Sequence, residues 1–418
     1  MQICIFEDND YIKFEPLSFY RPAFDLVCGI TTLREKIIRA YPGLKYSLHC
    51  RLSLAPFLQE QNPGIKVNSF DDDDHIFVNG SVLAPLNMME LIPAKGSDKI
   101  YLNGSKIIAA KVSRENLKRI KKNSPDILNS ISALNLPNEN TAINYAAYIW
   151  DLISNNKTEM LNDYNYFYSS IKAMERIKGK IFEGAHLVNK ENIIIAEGAE
   201  AKPGAVIDAS SGPVYIDRNA SIQSNAVIQG PVYIGKSSLI KTGANIYDSV
   251  SIGKVCKIGG EVDNSIILPY SNKQHNGYIG HSYIGSWVNI GADTTCSDLK
   301  NNYSSVKAYV NGRIVDSGQQ FLGPMIGDHT KTAINTMFNT GTSVGFSCNV
   351  FGSGFPDTFI PSFSWGGRDS FETYEVEKSI ATARRVMQRR NKIISKYEED
   401  IFKYIFASTE TERRQKGY

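Results

Sequence analysis

The most regular pattern in the chain is an isoleucine at every sixth position over eight steps. α-Helices repeat every 3.6 residues and strands every two, so a period of six fits neither element. The pattern predicts the hexapeptide repeat of a β-helix, in which each isoleucine points into the bore. The positions are Ile216, Ile222, Ile228, Ile234, Ile240, Ile246, Ile252 and Ile258.

A second repeat, of 18 residues, sets the size of one coil. GPVYIDRNASIQSNAVIQ from Gly212 is followed directly by GPVYIGKSSLIKTGANIY from Gly230. Three hexads therefore make one coil, and we predict a left-handed parallel β-helix over residues 180–367. An insertion at 296–325 interrupts it, and Asn311-Gly312 within the insertion predicts a β-hairpin.

The stretch GPVYIGKS, Gly230 to Ser237, also fits the phosphate-binding loop pattern G-x-x-x-x-G-K-[ST]. That loop works only where a helix opens at the lysine, because the loop amides and the helix N-terminus bind the phosphate. Here the hexads continue through Lys236. We therefore predict a β-helix corner without nucleotide binding.

The regions on either side of the repeat follow other patterns. Residues 1–135 alternate short strands (QICIFE, HIFVNG, KIYLNG, KIIAAKV) with helices, which predicts an α/β domain. A capping box from Thr32 to Glu35 opens one of these helices. Residues 136–179 have helical spacing and are predicted to be a linker. Residues 368–418 predict one long helix and a polar tail.

Composition and charge narrow the functional classes. The chain has 418 residues, 42% of them hydrophobic and 21% charged, with a net charge of +3. This balance gives no argument for nucleic acid or membrane partners, and we expect a cytoplasmic protein. The six cysteines are scattered without a C-x-x-C pair, so they are predicted to be reduced core thiols. The basic run at 384–392 could bind anionic partners, but acids flank it and we predict a solvated or subunit-facing helix surface. The acidic run at 71–74 with His75 could hold a divalent metal, and we predict a charged loop instead.

Histidines concentrate in and just after the segment 259–303 and support two hypotheses. The first is a zinc hydratase of the γ-carbonic-anhydrase type, with His275, His281 and His329 as ligands. His275 and His281 lie one hexad apart, so their side chains would diverge within one chain. A zinc site would then need ligands from two subunits.

The second hypothesis is acyl transfer, and here a family resemblance enters. QHNGYIGHSYIGSWVNIGADTTC resembles the acyltransferase segment of the bifunctional bacterial enzymes that make UDP-N-acetylglucosamine. The resemblance implies that His275 is the catalytic histidine and that Glu261 orients it. It also implies acetyl-CoA as co-substrate, held by the coil at 326–350, and a homotrimer. The implied sugar-phosphate contacts are Tyr278, Asn289 and Asn264.

The residue types suit this chemistry independently of the resemblance. Moving an acetyl group from a thioester to an amine needs a base of near-neutral pKa, which histidine provides, and a carboxylate to fix its tautomer. Two departures concern the sugar. The family's basic residue two positions after Glu261 is Asp263 here, and its Asn-Tyr pair after the cysteine is Ser297-Asp298.

The whole chain resembles a variant branch of the same family, through RPAFDLVCGITTLREK, SDLKNNY, GDHTKTAINTMFNTGT and IPSFSWGG. The resemblance implies a sugar-1-phosphate nucleotidyltransferase-like N-terminal domain that uses a nucleoside triphosphate with Mg²⁺. The G-x-G-T-R-M loop of that activity is absent from the sequence. A binding module without catalytic activity is therefore the alternative. The candidate nucleotide contacts are Arg21, Asp25, Arg34, Lys36 and Asn79.

The sequence as a whole predicts an enzyme of sugar-nucleotide biosynthesis. Its β-helix would acetylate an amino-sugar phosphate that resembles glucosamine-1-phosphate, and its N-terminal domain would transfer a nucleotide to a sugar phosphate.

Overall fold

A computed structural model describes residues 1–120, 127–171 and 175–418. The chain divides into two compact units, which interleave near the N-terminus. The first unit comprises Met1–Phe14, Tyr20–Leu26 and Thr31–Tyr148. The second comprises Glu15–Phe19, Val27–Ile30 and Ile149–Tyr418.

The first unit is built on a mixed sheet with seven strands among the described residues. The four strands at one end of the sheet are parallel, and chain order reverses around the strand Gln2–Phe6. In spatial order the strands are Lys66–Val67, Lys45–His49, Gln2–Phe6, His75–Asn79, Lys106–Val112, Lys99–Asn103 and Asn138–Asn140.

Short helices connect these strands. The α-helices are Leu33–Ala40, Ala55–Gln61, Met88–Leu91, Arg114–Leu117 and Ile127–Ser132, and the 3-10 helices are Asn9–Phe14 and Ala23–Asp25. The predicted capping box is confirmed: the Thr32 hydroxyl accepts from the Glu35 amide at 3.2 Å, and the Glu35 carboxylate accepts from the Thr32 amide at 2.8 Å. The four strands predicted from QICIFE, HIFVNG, KIYLNG and KIIAAKV are also confirmed.

The first unit extends further along the chain than predicted. The strand Asn138–Asn140 pairs with Lys99–Asn103, so residues expected in the linker belong to this sheet. The linker helix itself runs over Ile149–Ser170, and residues 172–174 of the predicted linker lie outside the described residues.

The second unit is a parallel β-helix whose coils stack in register. Its predicted bore is confirmed, because the eight isoleucines at period six are all 0% exposed. Val214 pairs with Val232, and Val232 with Val250, which gives the predicted 18-residue coil. The coils then shorten, since Ile252 pairs with Ile267 and Ile267 with Ile284.

The β-helix strands form three long sheets within the described residues. The eleven-stranded sheet contains Lys180–Ile181, Glu200–Ala201, Ser221–Ile222, Leu239–Ile240, Lys257–Ile258, Asn272–Lys273, Asn289–Ile290, Lys331–Thr332, Asn349–Val350, Ser364–Gly366 and Phe371–Thr373. The nine-stranded sheet contains Ile193–Ile195, Val214–Ile216, Val232–Ile234, Val250–Ile252, Ile266–Ile267, Tyr283–Ile284, Met325–Ile326, Ser343–Val344 and Phe359–Ile360. The six-stranded sheet contains His186–Val188, Val206–Asp208, Val227–Gln229, Asn245–Ile246, Glu261–Asp263 and Tyr278–Gly280.

The six-stranded sheet ends where the predicted insertion begins. The next strand on this side, Thr295–Cys296, pairs with Met337–Phe338 as a separate sheet. The insertion carries the predicted hairpin, Lys307–Val310 with Arg313–Asp316. Asn311 and Gly312 have φ of 41° and 79°, the left-handed values that a two-residue type I′ turn requires.

The C-terminal segment differs from the prediction of one long helix. It forms three helices, Val376–Gln388, Lys396–Ser408 and Glu410–Gln415. The first helix ends before Asn391, whose left-handed φ of 54° turns the chain. Ser395 then caps the second helix in a capping box with Glu398.

The six cysteines are buried and form no disulfide, as predicted for core thiols. None of the helices in the described part of the chain is long and apolar enough to cross a membrane.

Candidate functional site

His275 lies at a corner of the β-helix, between the strands Asn272–Lys273 and Tyr278–Gly280, and its side chain is exposed. The coil before it passes very close: a Cβ on Gly260 would lie 2.7 Å from the His275 carbonyl oxygen. Gly260, with φ of 65°, is thus required by close approach as well as by conformation. Glu261 follows directly and is also exposed, so the two predicted catalytic residues lie on adjacent coils.

A lysine inside the bore holds this corner. Lys273 occupies the position that Ile258 and Ile290 fill on the neighbouring coils, and it is 2% exposed. Its Nζ donates to the carbonyl oxygens of Gly259 at 2.8 Å and His275 at 3.1 Å. Burial lowers the pKa of Lys273 to about 8.

Glu261 is not oriented as predicted. Among the described residues, its carboxylate accepts a hydrogen bond from the Tyr247 hydroxyl at 3.1 Å rather than from His275. Its proposed role in orienting His275 therefore needs a rearrangement of the Glu261 side chain.

Tyr278 lies on the same strand as Gly280, and its hydroxyl is surrounded by carboxylates. The hydroxyl donates to Asp298 Oδ2 at 2.8 Å, and Asp263 Oδ2 lies 3.4 Å away. A Cβ on Gly280 would collide with both the Tyr278 hydroxyl and Asp298, so glycine makes room for this contact. Burial and the neighbouring Asp298 raise the pKa of Tyr278. Two carboxylates disfavour a phosphate beside this hydroxyl, contrary to the predicted sugar-phosphate contact.

His281 forms a pair with Asp298 that the sequence did not predict. Nδ1 of His281 lies 2.8 Å from Asp298 Oδ2, and the imidazole stacks on Phe321 with ring centroids 4.9 Å apart. Burial alone would raise the pKa of Asp298, but the hydrogen bonds from His281 and Tyr278 hold it below its usual value. The ionised carboxylate therefore accepts from Nδ1–H of His281, and in the neutral imidazole Nε2 is the acceptor atom.

The two predicted asparagine contacts lie apart from each other. Asn264 donates its side-chain amide to Asp263 at 2.9 Å and lines a cleft together with His281. Asn289 is exposed on the eleven-stranded sheet, in register with Asn272 and Lys331. Tyr278 and Asn289 therefore belong to different faces of the β-helix.

The three histidines of the zinc hypothesis have different surroundings. His275 is exposed and His281 pairs with Asp298, whereas His329 is 1% exposed and packs against aromatic rings, with Phe402 4.9 Å away between centroids. Among the described residues, no three histidine, cysteine, aspartate or glutamate side chains are grouped closely enough to hold a metal ion.

The first unit has its own concentration of charged groups, at the carboxyl ends of its parallel strands. Glu7 and Asp8 follow the strand Gln2–Phe6, Arg51 follows Lys45–His49, and Asn79 ends its strand. Arg51 forms an ion pair with Glu7 at 2.6 Å. In an open sheet of this kind, ligands bind at the carboxyl ends where the chain order reverses, and this reversal occurs at Gln2–Phe6.

Asp8 is the centre of a hydrogen-bonded group at this edge. Its Oδ2 accepts from the Asn79 amide at 2.7 Å and from Lys106 Nζ at 2.6 Å. Lys106 also contacts Asp10 at 2.8 Å. The predicted residue Asn79 is thus placed at the sheet edge, although its neighbours were not predicted. The one sequence signal for them is the acidic run FEDND directly after the first strand.

Among the other predicted nucleotide contacts, Arg21, Asp25 and Arg34 lie near one another, whereas Lys36 is buried. Arg34 forms an ion pair with Asp25 at 2.8 Å, and burial raises the pKa of Asp25 to about 6 despite Arg34 and Arg21 nearby. The Arg21 guanidinium lies 5.9 Å from the centroid of the Tyr20 ring. Lys36 is 0% exposed on the buried side of its helix, so its contact with a nucleotide stays a prediction that would require this side chain to become accessible.

The structure also shows the surroundings of the stretch Gly230–Ser237, the acidic run at 71–74 and the basic run at 384–392. The stretch Gly230–Ser237 contains the strand Val232–Ile234 and a corner at Ser237, with another strand after it, so the β-helix corner is confirmed. In the acidic run, Asp72 pairs with Arg114 at 2.8 Å, as expected of a charged loop. In the basic run, Arg384 pairs with Glu399.

Comparison with known proteins agrees with this organisation. Residues 3–171 match the family model described as sugar nucleotidyl transferase. A bifunctional sugar-1-phosphate nucleotidylyltransferase/acetyltransferase from Sulfurisphaera tokodaii is 37% identical over 142 residues, 34% of this chain and 35% of that protein. The bifunctional protein GlmU of Methanococcus aeolicus is 28% identical over 199 residues, 47% of this chain and 40% of its own length. These matches confirm the predicted resemblance to the bifunctional family, although the chain spans well under half of each relative.

Solved structures are similar at a lower level. The UDP-N-acetylglucosamine acyltransferase of Francisella novicida is 18% identical with a TM-score of 0.29, and it covers 51% of this chain and 70% of its own. The corresponding acyltransferase of Arabidopsis is 14% identical with a TM-score of 0.20, covering 56% and 91%. With TM-scores this low, the fold assignment rests on the sheets themselves.

Proposed function

We propose that this chain is a bifunctional enzyme of sugar-nucleotide biosynthesis whose β-helix unit transfers an acetyl group from acetyl-CoA to an amino sugar. The observation that carries the proposal is the corner at His275. An exposed imidazole lies there one coil away from the exposed carboxylate of Glu261, and Lys273 ties the backbone of His275 to the preceding coil.

The reaction needs only groups of ordinary protein chemistry and the two substrates. The amine nitrogen attacks the thioester carbonyl carbon, and His275 accepts the proton that the amine loses. The tetrahedral intermediate then collapses, the C–S bond breaks, and the protonated imidazole returns the proton to the departing thiolate. A nearby Glu261 carboxylate favours the imidazolium that forms between these steps.

The proposed acceptor is an amino-sugar phosphate, with the phosphate away from Tyr278. Asp263 and Asp298 beside the Tyr278 hydroxyl would repel an anion. We place acetyl-CoA along the coil at 326–350. Ile334 and Phe351 next to it are 67% and 40% exposed, which provides apolar surface for the pantetheine chain.

The test is acetyl transfer with glucosamine-1-phosphate and glucosamine as acceptors, followed through the free thiol. His275→Ala should lower turnover by about two to four orders of magnitude while acetyl-CoA still binds, because base catalysis contributes that much. Glu261→Gln should cost less. His186→Ala, an exposed histidine of the same six-stranded sheet, is the control. A fully active His275→Ala contradicts the assignment.

For the first unit we propose nucleotidyl transfer to a sugar phosphate at the carboxyl ends of its parallel strands. Arg51 and Lys106 are cations suited to phosphate oxygens, and Asp8 and Asp10 supply the oxygen ligands that Mg²⁺ prefers. Mg²⁺ would have to replace Lys106 on these carboxylates. Binding of UTP with Mg²⁺, measured by calorimetry, should be lost in Asp8→Asn. Binding without any turnover would identify a binding module instead.

The zinc hydratase is the weaker alternative, since no single chain brings its three histidines together. It requires stoichiometric zinc in the purified protein. It also requires equal loss of activity in His275→Ala, His281→Ala and His329→Ala. Elemental analysis together with these three variants separates it from acetyl transfer.

We further propose a homotrimer, because acyltransferases built on such a prism place their sites between neighbouring prisms. Light scattering at micromolar concentration tests this. A stable monomer with full acetyltransferase activity would contradict it.

A further inference from the structure

The cleft beside His281 has features of a ligand site that the proposed acetyl transfer at His275 does not use. It has a volume of about 310 Å³ and lies within the second unit. We call it the His281 cleft and define it by Trp150, Lys157, Asn264, His281, Gln319 and Phe321. Sites for small ligands are typically concave, with aromatic walls and a few fixed polar groups.

Both the imidazole and the backbone of His281 are held by neighbouring groups. Its Nδ1 is held by Asp298, one face of the ring is covered by Phe321, and its backbone amide donates to Asp263 at 3.1 Å. On the other side, the amide of Gly323 donates to the His281 carbonyl at 2.9 Å. Because Asp298 keeps the proton on Nδ1, the remaining atom, Nε2, can accept a hydrogen bond. An acceptor held this rigidly is arranged in advance for a donor.

The charges around the cleft determine which donor fits. Three carboxylates lie close to it, Asp298 on His281, Asp263 on Asn264, and Asp248, which pairs with Lys157 at 2.9 Å. One cation against three carboxylates disfavours an anionic ligand and favours an ammonium or a hydroxyl group.

The uncharged walls fit the same kind of ligand. Phe321 is 41% exposed, and an aromatic face attracts a cation. Gln319 accepts from the Ser154 hydroxyl at 3.0 Å, and its amide group adds polar capacity at the wall. Rings with hydroxyl and amino substituents match this combination of aromatic and amide surfaces.

We propose that the His281 cleft binds a neutral or cationic polyhydroxylated ligand, an amino sugar without its phosphate, with Nε2 of His281 accepting a hydrogen bond from it. The site is separate from the corner at His275, since His275 does not line the cleft. The inference does not depend on acetyl transfer, because it concerns binding alone.

The experiment is titration of the full chain with D-glucosamine, and with inorganic phosphate as the anionic probe. Binding is followed by calorimetry and by the ring signals of ¹⁵N-labelled histidine, assigned through His281→Ala. Glucosamine should bind and shift the His281 signals. Its affinity should fall at least tenfold in His281→Ala, and phosphate should leave these signals unchanged.

Two further variants separate binding from stability. Phe321→Ala truncates a partly exposed ring and should also weaken binding at least tenfold, whereas His186→Ala should have no effect. Asp298→Asn should weaken binding of the ammonium form through loss of a charge. Circular dichroism confirms that each variant is folded.

The inference is overturned if glucosamine fails to bind, if phosphate competes for the cleft, or if His281→Ala binds as well as the wild type. Loss of glucosamine binding with acetyl transfer to glucosamine-1-phosphate intact would refute this inference alone. Binding through His281 in a protein that transfers no acetyl group would refute only the proposed function.

Discussion

Lys273 gives a prediction whose size follows from the structure. The side chain lies in the apolar bore, and burial lowers its pKa from 10.5 to about 8. At about 1.4 kcal/mol per pKa unit, carrying the charge in the folded state costs roughly 3 kcal/mol relative to the unfolded chain. This cost is fully present below pH 8, where both states are protonated.

The cost disappears as pH rises. Between pH 8 and 10.5 the folded state loses the Lys273 proton while the unfolded state keeps it, so the free energy of unfolding increases with pH through this group. Lys273→Met fills the same space without a titrating group. The difference in unfolding free energy between wild type and variant should therefore change by roughly 2 to 3 kcal/mol between pH 7 and pH 10, in favour of the wild type at high pH.

Urea denaturation followed by circular dichroism at both pH values measures this difference. The contributions of all other titrating groups are common to the wild type and Lys273→Met, so they cancel in the difference. Lys236→Met is the matched control, because Lys236 is an exposed lysine of the same β-helix and should show no such change. Parallel pH dependence in the wild type and Lys273→Met would show that Lys273 is not desolvated as the structure indicates.

Three other predictions test the bore, the corner and the first unit. Ile246→Ala should destabilise the β-helix by about 2–5 kcal/mol in denaturant titrations, because Ile246 is 0% exposed in a stacked bore; a change near zero would contradict that packing. Lys236→Ala should leave ATP binding and thermal stability unchanged, and a large loss of nucleotide binding would overturn the corner assignment. Glu7→Gln should lower stability by about 3 kcal/mol or more, because it removes the buried carboxylate that pairs with Arg51; calorimetry showing an unchanged melting temperature would refute this.

The β-helix could be predicted almost completely because its contacts are local in sequence. Each inward position is set by the coil before it, and Ile234 needs only Ile216 and Ile252 as neighbours. The hairpin at Asn311-Gly312 was equally visible, since the turn needs those two residue types. In the shortened coil Lys273 follows Ile258 in the stack, and no repeat predicts that a lysine faces the bore there.

The break in the C-terminal helix was not predicted. Apolar periodicity continues across residues 389–395 and predicts one helix, whereas the structure turns the chain at Asn391 and begins a new helix at the Ser395–Glu398 capping box. Apolar spacing indicates which residues face the core, and two successive helices that pack on the same surface can have one continuous apolar spacing. The ends of the two helices are set locally, by Asn391 and by the Ser395–Glu398 capping box.

The candidate sites were harder to predict because they join distant segments. Glu7, Asn79 and Arg51 meet only because their strands are neighbours in the sheet, which the sequence alone does not specify. Lys36 was predicted from residue type, and its burial follows from how its helix packs. Asp298 was noticed only as a departure from a family pattern, while its partners Tyr278 and His281 are 20 and 17 positions away.

The contacts of Asp298 with Tyr278 and His281 lie where the β-helix repeat is interrupted. The six-stranded sheet stops at Tyr278–Gly280, where the insertion supplies Asp298 to Tyr278 and His281, and Phe321 to His281. In the uninterrupted coils, isoleucine side chains fill the bore and hold the coils together. Where the repeat is interrupted, residues from outside the repeat can hold polar side chains in place on the surface of the β-helix. The regular coils therefore act as the rigid support, and we expect the ligand specificity of the second unit to depend on Asp298 and Phe321, which its insertion brings to the end of the six-stranded sheet.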